Sequence, residues 1–170
     1  MDGTVRVRHL AEEDWPSVTA LEARAYAGSG LSEGPDALRS RAAASPETCF
    51  VLDRDRQVAG YLLALPYPPS RYPDPERPEE RGFRSRNLHL HDVVVAERHR
   101  GQGLAGRLLA RLTRTAAARG YERISLVAVG RSAAFWSARG FSAHPEVEVC
   151  PGYGDHAQYM SQATPTPGVP

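Results

Sequence analysis

A chain of 170 residues, 41% of them hydrophobic and 24% charged, is long enough for one compact domain. Such a domain buries about two-thirds of its unfolded surface and needs neither disulfides nor metal to fold. Its 21 basic residues against 20 acidic ones leave a net charge of +1, which argues against an affinity built on phosphate neutralisation and against nucleic acid as a partner. Cys49 and Cys150 belong to no CxxC pair and no Cys/His cluster at zinc spacing, so both read as buried thiols and no metal is expected. No apolar run approaches the ~18 residues of a membrane span, and the first residues lack the pattern of a secretory signal, so the expectation is a soluble cytoplasmic protein without a membrane partner.

Thr4–Arg8 alternates Val5 and Val7 with polar residues and reads as a half-buried strand. Trp15, Val18, Leu21 and Ala25 then recur at helical spacing, predicting a helix over 12–26 that ends at Gly28 and Gly30. A second helix is predicted over 35–44, followed by strands over 48–54 and 57–65 joined by the polar turn Asp53-Arg54-Asp55-Arg56. Between Pro66 and Arg86 the chain carries six prolines among aromatic and charged residues, which reads as a long loop without regular structure. Leu88–Val95 is a strand whose end, Val93-Val94-Val95, is apolar on both faces. Leu104, Ala105, Leu108, Leu109, Leu112 and Ala116 mark a strong amphipathic helix over 104–119, closed by Gly120. A buried strand over 123–129, a short helix over 132–139 and strands over 146–150 and 157–162 complete the domain. The order predicts a mixed sheet in which a right-handed crossover helix joins parallel strands four and five.

The turn Arg100-Gly101-Gln102-Gly103-Leu104-Ala105-Gly106 lies between a strand and that strong helix. Small residues there let the backbone approach an anion, while the unsatisfied N–H groups of the first helical turn and Arg100 supply favourable charge. The same stretch contains a literal GxGxxG, but too few residues follow for a doubly wound dinucleotide domain, and no acidic residue ends the next strand. A mononucleotide P-loop fails for want of a Gly-Lys-Ser/Thr.

In that position, Arg100-Gly101-Gln102-Gly103-Leu104-Ala105 resembles the (Gln/Arg)-x-x-Gly-x-(Gly/Ala) signature of the GNAT superfamily of acetyl-CoA-dependent N-acetyltransferases. Ala134-Phe135-Trp136-Ser137-Ala138-Arg139-Gly140-Phe141 is similar to that family's (Phe/Leu)-Tyr-x-x-x-Gly-Phe segment. The resemblance implies an α/β fold of GNAT type: a mixed, mostly antiparallel central sheet with splayed parallel strands four and five and flanking helices. Residues 1–163 would form a single acetyltransferase domain, with 164–170 a frayed tail. It further implies acetyl-CoA as cosubstrate. Arg100, Gly101, Gln102, Gly103, Leu104, Ala105 and Gly106 would hold its pyrophosphate, the backbone of Val93, Val94 and Val95 would bind its pantetheine arm, and Trp136 would stand beside it.

His89 and His91, two apart on one strand, should send both imidazoles to one face. A zinc site would need a third ligand that the sequence does not offer, and two hydrogen-bonded structural histidines are the plain alternative. The chemical reading is a proton path: an amine with a pKa near ~10.4 must lose a proton before it can attack a thioester, and an imidazole can take it. His89-Leu90-His91-Asp92-Val93-Val94-Val95 is similar to the His-x-His segment of the arylalkylamine (serotonin-type) N-acetyltransferase branch, which implies that both histidines are catalytic. Where that branch has a tyrosine to protonate the leaving thiolate, this chain has Trp136, whose indole cannot transfer a proton, and Tyr153, Tyr159 or water are the substitutes. Tyr26, Leu31 and Tyr67, with Tyr72 and Phe83, could wall an acceptor slot for an arylalkylamine, while Glu12, Glu13, Asp14, Glu22 and Glu33 could receive a polyamine. The expected activity is direct acetyl transfer to the primary amine of a small molecule, by a monomer or homodimer. A protein N-terminal or lysine acetyltransferase and a non-catalytic acyl-CoA sensor are the alternatives.

Overall fold

The computed structural model describes residues 3–166, which form a seven-stranded sheet between two helical layers. The strands are β1 (Val5–His9), β2 (Phe50–Arg54), β3 (Gln57–Pro66), β4 (Asn87–Val95), β5 (Arg123–Ala128), β6 (Ser142–Ala143) and β7 (Gln158–Ala163), in the spatial order β1-β2-β3-β4-β5-β7-β6. Only β4 and β5 are parallel neighbours. The helices are α1 (Trp15–Ala25), α2 (Pro35–Ala44), α3 (Leu104–Ala118) and α4 (Ala133–Ser137). This is the mixed sheet that the order of elements predicts. Among the described residues no helix is long and apolar enough to cross a membrane.

Strand alternation divides the interior into two cores. On β2 and β3, Phe50, Leu52 and Leu62 face α3, whereas Val51, Tyr61 and Leu63 face α1 and α2. From α3, Leu104, Leu108, Leu112 and Ala116 descend at i, i+4 spacing onto the first core, all nearly or fully buried. Truncating a side chain such as Leu108 to alanine there costs roughly 2–5 kcal/mol.

Strand β4 departs from regular alternation. Leu63 of β3 pairs with Asp92 and the next residue, Ala64, pairs with Leu90, so His91 is an extra residue in β4, a β-bulge. Its effect on facing is direct. Leu88 and Leu90 face the α3 core before the bulge, and Val93 and Val95 do so after it.

The region 146–150 forms no strand, contrary to expectation. Its backbone is claimed from elsewhere: Tyr72 Oη donates to the Glu148 carbonyl (2.7 Å) and accepts the Cys150 N–H (2.9 Å). The sheet edge is instead the two-residue β6. Beyond Pro66, the last residue of β3, the 66–86 loop has no regular structure, as its prolines dictate, yet it is fastened to the rest of the fold. Ser70 N–H donates to Tyr159 Oη (2.9 Å), Tyr153 Oη donates to the Pro73 carbonyl, and Arg41 donates to the Asp74 carbonyl (2.8 Å). The tail expected from 164 onward is tied at its start by Thr164 N–H to the Glu122 carbonyl (2.8 Å), and residues 167–170 of it lie outside the described residues.

Candidate active site

Strands β4 and β5 pair only from Asn87–Leu90 with Arg123–Leu126, after which they part. A cavity of about 400 Å³ opens where they separate and runs on to the loop between α1 and α2. One wall is main chain. Ala96 N–H donates to the Ala59 carbonyl (2.8 Å), so by the two-residue period of an antiparallel ladder Val94 also spends its backbone groups on β3. Val93 and Val95 therefore turn theirs toward the gap, and Val94 does not. The Val95 carbonyl accepts a hydrogen bond from Arg100 Nε (3.2 Å), and both residues line the cavity.

The turn after β4 places two glycines in the left-handed region, Gly101 at φ 78° and Gly103 at φ 75°. A Cβ at either would meet nothing within 4 Å, so the turn is open above its backbone. Gly103 caps α3 without a side-chain hydrogen bond, which leaves the first N–H groups of that helix free for an anion. Ala105 lines the cavity beside Arg100. Gly101, Gln102, Gly103, Leu104 and Gly106 are not in its lining: Gln102 Oε1 accepts from Arg54 Nη1 (2.9 Å), and the Leu104 side chain belongs to the core. Trp136, edge-on between Phe135 and Phe141, lines the gap on the opposite wall.

The other end of the cavity is built from buried polar side chains. His91, 1% exposed at its side chain, sets Nε2 2.6 Å from Glu33 Oε2, while its Nδ1 is buried without a partner. Glu33 is steered there by α1, because the buried Glu22 carboxylate accepts the Glu33 N–H (2.8 Å) and the Ser32 hydroxyl. Asp92 accepts one hydrogen bond from Tyr26 Oη and one from Tyr61 Oη, both 2.6 Å. Tyr26, Leu31, Glu33, Pro75, Gly152 and Tyr153 close this end.

Burial drives the electrostatics. It pushes the Asp92 carboxyl up to about 6, against the two tyrosine hydrogen bonds that favour its charge. Burial would also raise Glu33, but His91 and Arg41 outweigh it and hold that carboxyl below its usual range, so Glu33 is ionised. An ionised Glu33 can only accept a hydrogen bond, so Nε2 is the nitrogen that carries the N–H, which leaves Nδ1 as the nitrogen free for chemistry. Burial, with His91 and Arg41 adding to it, drives His89 well below an ordinary imidazole and keeps it neutral.

Both histidines lie on the face opposite Leu88 and Leu90, as alternation predicts, but only His91 lines the cavity. His89 lies outside the cavity lining, with Nδ1 2.8 Å from Ser125 Oγ and its ring stacked on Tyr159. Tyr67 is also absent from the lining; its ring packs on Phe83 and its hydroxyl donates to Glu79. Of the tyrosines considered for the thiolate, Tyr159 lies outside the lining and Tyr153 lines the cavity with its hydroxyl spent on Pro73. Sequence reading missed Asp92 as a cavity residue and Glu33 as the partner of His91. A carboxylate placed directly before the wholly apolar Val93-Val94-Val95 was the available signal for Asp92. Among the described residues no group of three or more His, Cys, Asp or Glu is placed to hold a metal ion.

The splayed strands, the open glycine turn and the uncapped helix define an acyl-group transferase scaffold, and comparison with known proteins agrees. Residues 8–141 match the model of the acetyltransferase (GNAT) family, and the chain belongs to that family. No curated relative matches it in sequence. Similar solved structures include Ard1 from Thermoplasma volcanium, at 16% identity and TM-score 0.74, covering 95% of this chain and 98% of that one. The GphF GNAT-like decarboxylase in complex with isobutyryl-CoA is 19% identical with TM-score 0.79, over 94% of this chain and all of that one. The ribosomal-protein-S18-alanine N-acetyltransferase from Escherichia coli is 17% identical with TM-score 0.64, over 97% of each chain. These likenesses establish the fold.

Proposed function

We propose that the protein transfers an acetyl group from acetyl-CoA to the primary amine of a small molecule, with His91 as proton acceptor. The observation that carries this reading is the pairing of His91 Nε2 with the ionised Glu33 while Nδ1 is left without a partner, in a residue that lines the cavity. The residues present fit the cosubstrate. The open turn at Gly101 and Gly103, the free amides of α3 and Arg100 suit a diphosphate, and the gap-facing backbone of Val93 and Val95 suits an extended amide-bearing arm.

Acetyl-CoA, when bound, supplies the thioester whose C–S bond breaks as the amine nitrogen forms the new C–N bond. His91 Nδ1 takes the proton that the amine must lose, and Glu33 stabilises the resulting imidazolium through Nε2. The backbone N–H of Val93, turned to the gap, is the donor for developing negative charge on the acyl oxygen. Trp136 offers no transferable proton, so the thiolate, a stable leaving group, takes its proton from water.

The ionisable groups lining the acceptor end are Glu33, His91, Asp92, Tyr26 and Tyr153, with no arginine among them, while Arg100 lies at the far end. This arrangement favours an amine without a carboxylate, and the apolar Ala25, Leu31 and Pro75 favour an aromatic or alkyl arm. A protein acceptor would want an open groove, which the fastened 66–86 loop does not provide.

The test is release of CoA thiol from acetyl-CoA with tryptamine, phenethylamine, spermidine and a lysine peptide. Turnover confined to the small amines and lost in His91→Gln is the expected result, whereas full turnover in that variant refutes the role of His91. His89→Gln should reduce turnover only a few-fold. A loss as deep as that of His91→Gln would restore a two-histidine path.

A further inference from the structure

Arg41 of α2 is 1% exposed and is the centre of a buried ionic chain. Its Nη2 donates to Glu33 Oε1 (2.7 Å) and to the Asp74 carbonyl (2.8 Å), and its Nη1 donates to Glu79 Oε1 (2.6 Å). Glu33 and Glu79 are themselves 9% and 8% exposed at their side chains. The other oxygen of Glu33 meets His91, and Glu79 also accepts from Tyr67 Oη (3.1 Å). One guanidinium thus serves two buried carboxylates, and through Glu33 the chain of hydrogen bonds ends on the His91 ring.

We infer that Arg41 is a positioning residue of this site: it holds Glu33 against His91 and Glu79 and Asp74 of the 66–86 loop at the same time, so that the protonation of His91 depends on the docking of that loop. The inference rests on the reading of His91 as proton acceptor.

A purely structural role explains the arrangement poorly. Buried ion pairs contribute little net stability after desolvation, and Arg41 Nε is left buried without a partner, so the cluster is not arranged for full satisfaction of its donors. Its members come from three segments, α2, the α1–α2 loop and the 66–86 loop, and meet one hydrogen bond from His91. The charged and titratable groups around that ring are Glu33 from the α1–α2 loop, Arg41 from α2, Glu79 from the 66–86 loop, and Asp92 and His89 from β4. Glu22 and Tyr26 from α1, Tyr61 from β3 and Tyr153 from the 151–153 turn complete the set. Asp92 and His89 act on His91 directly, whereas Glu79 reaches it through Arg41 and Glu33.

The chain of charges makes opposite predictions for its two ends. Removing the Glu79 charge leaves Arg41 to Glu33 alone, and the His91 ring holds its proton less tightly. Removing Arg41 strands two carboxylates, and the ring holds its proton more tightly. Proton occupancy of the His91 ring is read from long-range proton–nitrogen-15 correlation spectra of the labelled protein between pH 5 and 8.5, with His91→Gln giving the assignment.

Glu79→Gln should move the occupancy curve toward lower pH and Arg41→Met toward higher pH, each by about half a unit or more. Arg41→Lys should fall between Arg41→Met and the unmodified protein. The acid limb of kcat/KM for tryptamine acetylation should follow the same order. Curves that stay within about 0.2 unit, or that move the same way in both variants while melting temperature drops, overturn the inference. Should Arg41→Met fail to fold, Glu33→Gln replaces it and must move the curve down further than Glu79→Gln does. Full tryptamine turnover in His91→Gln would remove the proton-acceptor reading, and the ring occupancy would still decide whether Arg41 sets the state of His91.

Discussion

Where β4 parts from β5 the cavity wall is main chain, offered by Val93, Val95 and the turn at Gly101–Gly103, and at the α1–α2 end it is buried ionisable side chains drawn from segments far apart in the chain. The first wall depends on backbone direction and on two left-handed glycines, so many sequences can build it. The second depends on Glu33, Arg41, Glu79 and Asp92 meeting in a low-dielectric interior, which few sequences achieve. The fold shared with structures 16–19% identical therefore constrains the first end more than the second.

The deepest effect should come from His91→Gln, which removes the proposed proton acceptor and should lower kcat roughly 100-fold or more while acetyl-CoA affinity, read by calorimetry, stays within about twofold. A matching loss of acetyl-CoA affinity would break the division between the two ends.

Asp92 sharpens it through pH. Its folded carboxyl, raised to about 6 from an ordinary 3.8, keeps its proton where the unfolded chain releases it. The linked stability is thus full below about pH 4 and lost as pH rises through 6, a change on the order of 3 kcal/mol. The melting-temperature difference between Asp92→Asn and the unmodified protein should move in favour of the variant from pH 4.5 to 7.5, and a flat difference would show that Asp92 titrates normally.

Gly103→Val acts on the opposite end. A β-branched residue at φ 75° costs about 1–2 kcal/mol, so acetyl-CoA should bind roughly tenfold more weakly, with the acid limb of the pH profile unmoved. Tyr153→Phe should do least. It removes one donor to the Pro73 carbonyl, costs about 1 kcal/mol in denaturant unfolding and changes turnover by no more than about threefold. A far larger fall in kcat at constant KM would make Tyr153 the acid that Trp136 cannot be.

The main-chain end was legible in the sequence because its signals are local. The stripe Leu104–Leu108–Leu112–Ala116, the glycines before it and the arginine at 100 are contiguous, and periodicity suffices to place them. At the side-chain end His91, Tyr26 and Leu31 were legible as lining residues, but their partners were not, because those depend on registers and contacts between distant segments. Glu33 and His91 are 58 positions apart, and Arg41 and Glu79 are 38 apart. The alternation Glu146-Val147-Glu148-Val149 has the period of a strand, but nothing local shows that Tyr72 occupies its backbone. The common facing of His89 and His91 follows from the period of two, whereas the parity of Val93 and Val95 depends on a bulge that nothing local announces.

The extra residue in β4 also acts as a reading frame. Upstream of it the even-numbered leucines 88 and 90 face α3, and downstream the odd-numbered valines 93 and 95 do. Deleting His91 would close the bulge with Asp92 opposite Leu63 and with Val93, Val94 and Val95 still opposite Leu62, Tyr61 and Gly60. The downstream side chains would keep their facing, and the cavity would lose only the imidazole that the bulge adds to it.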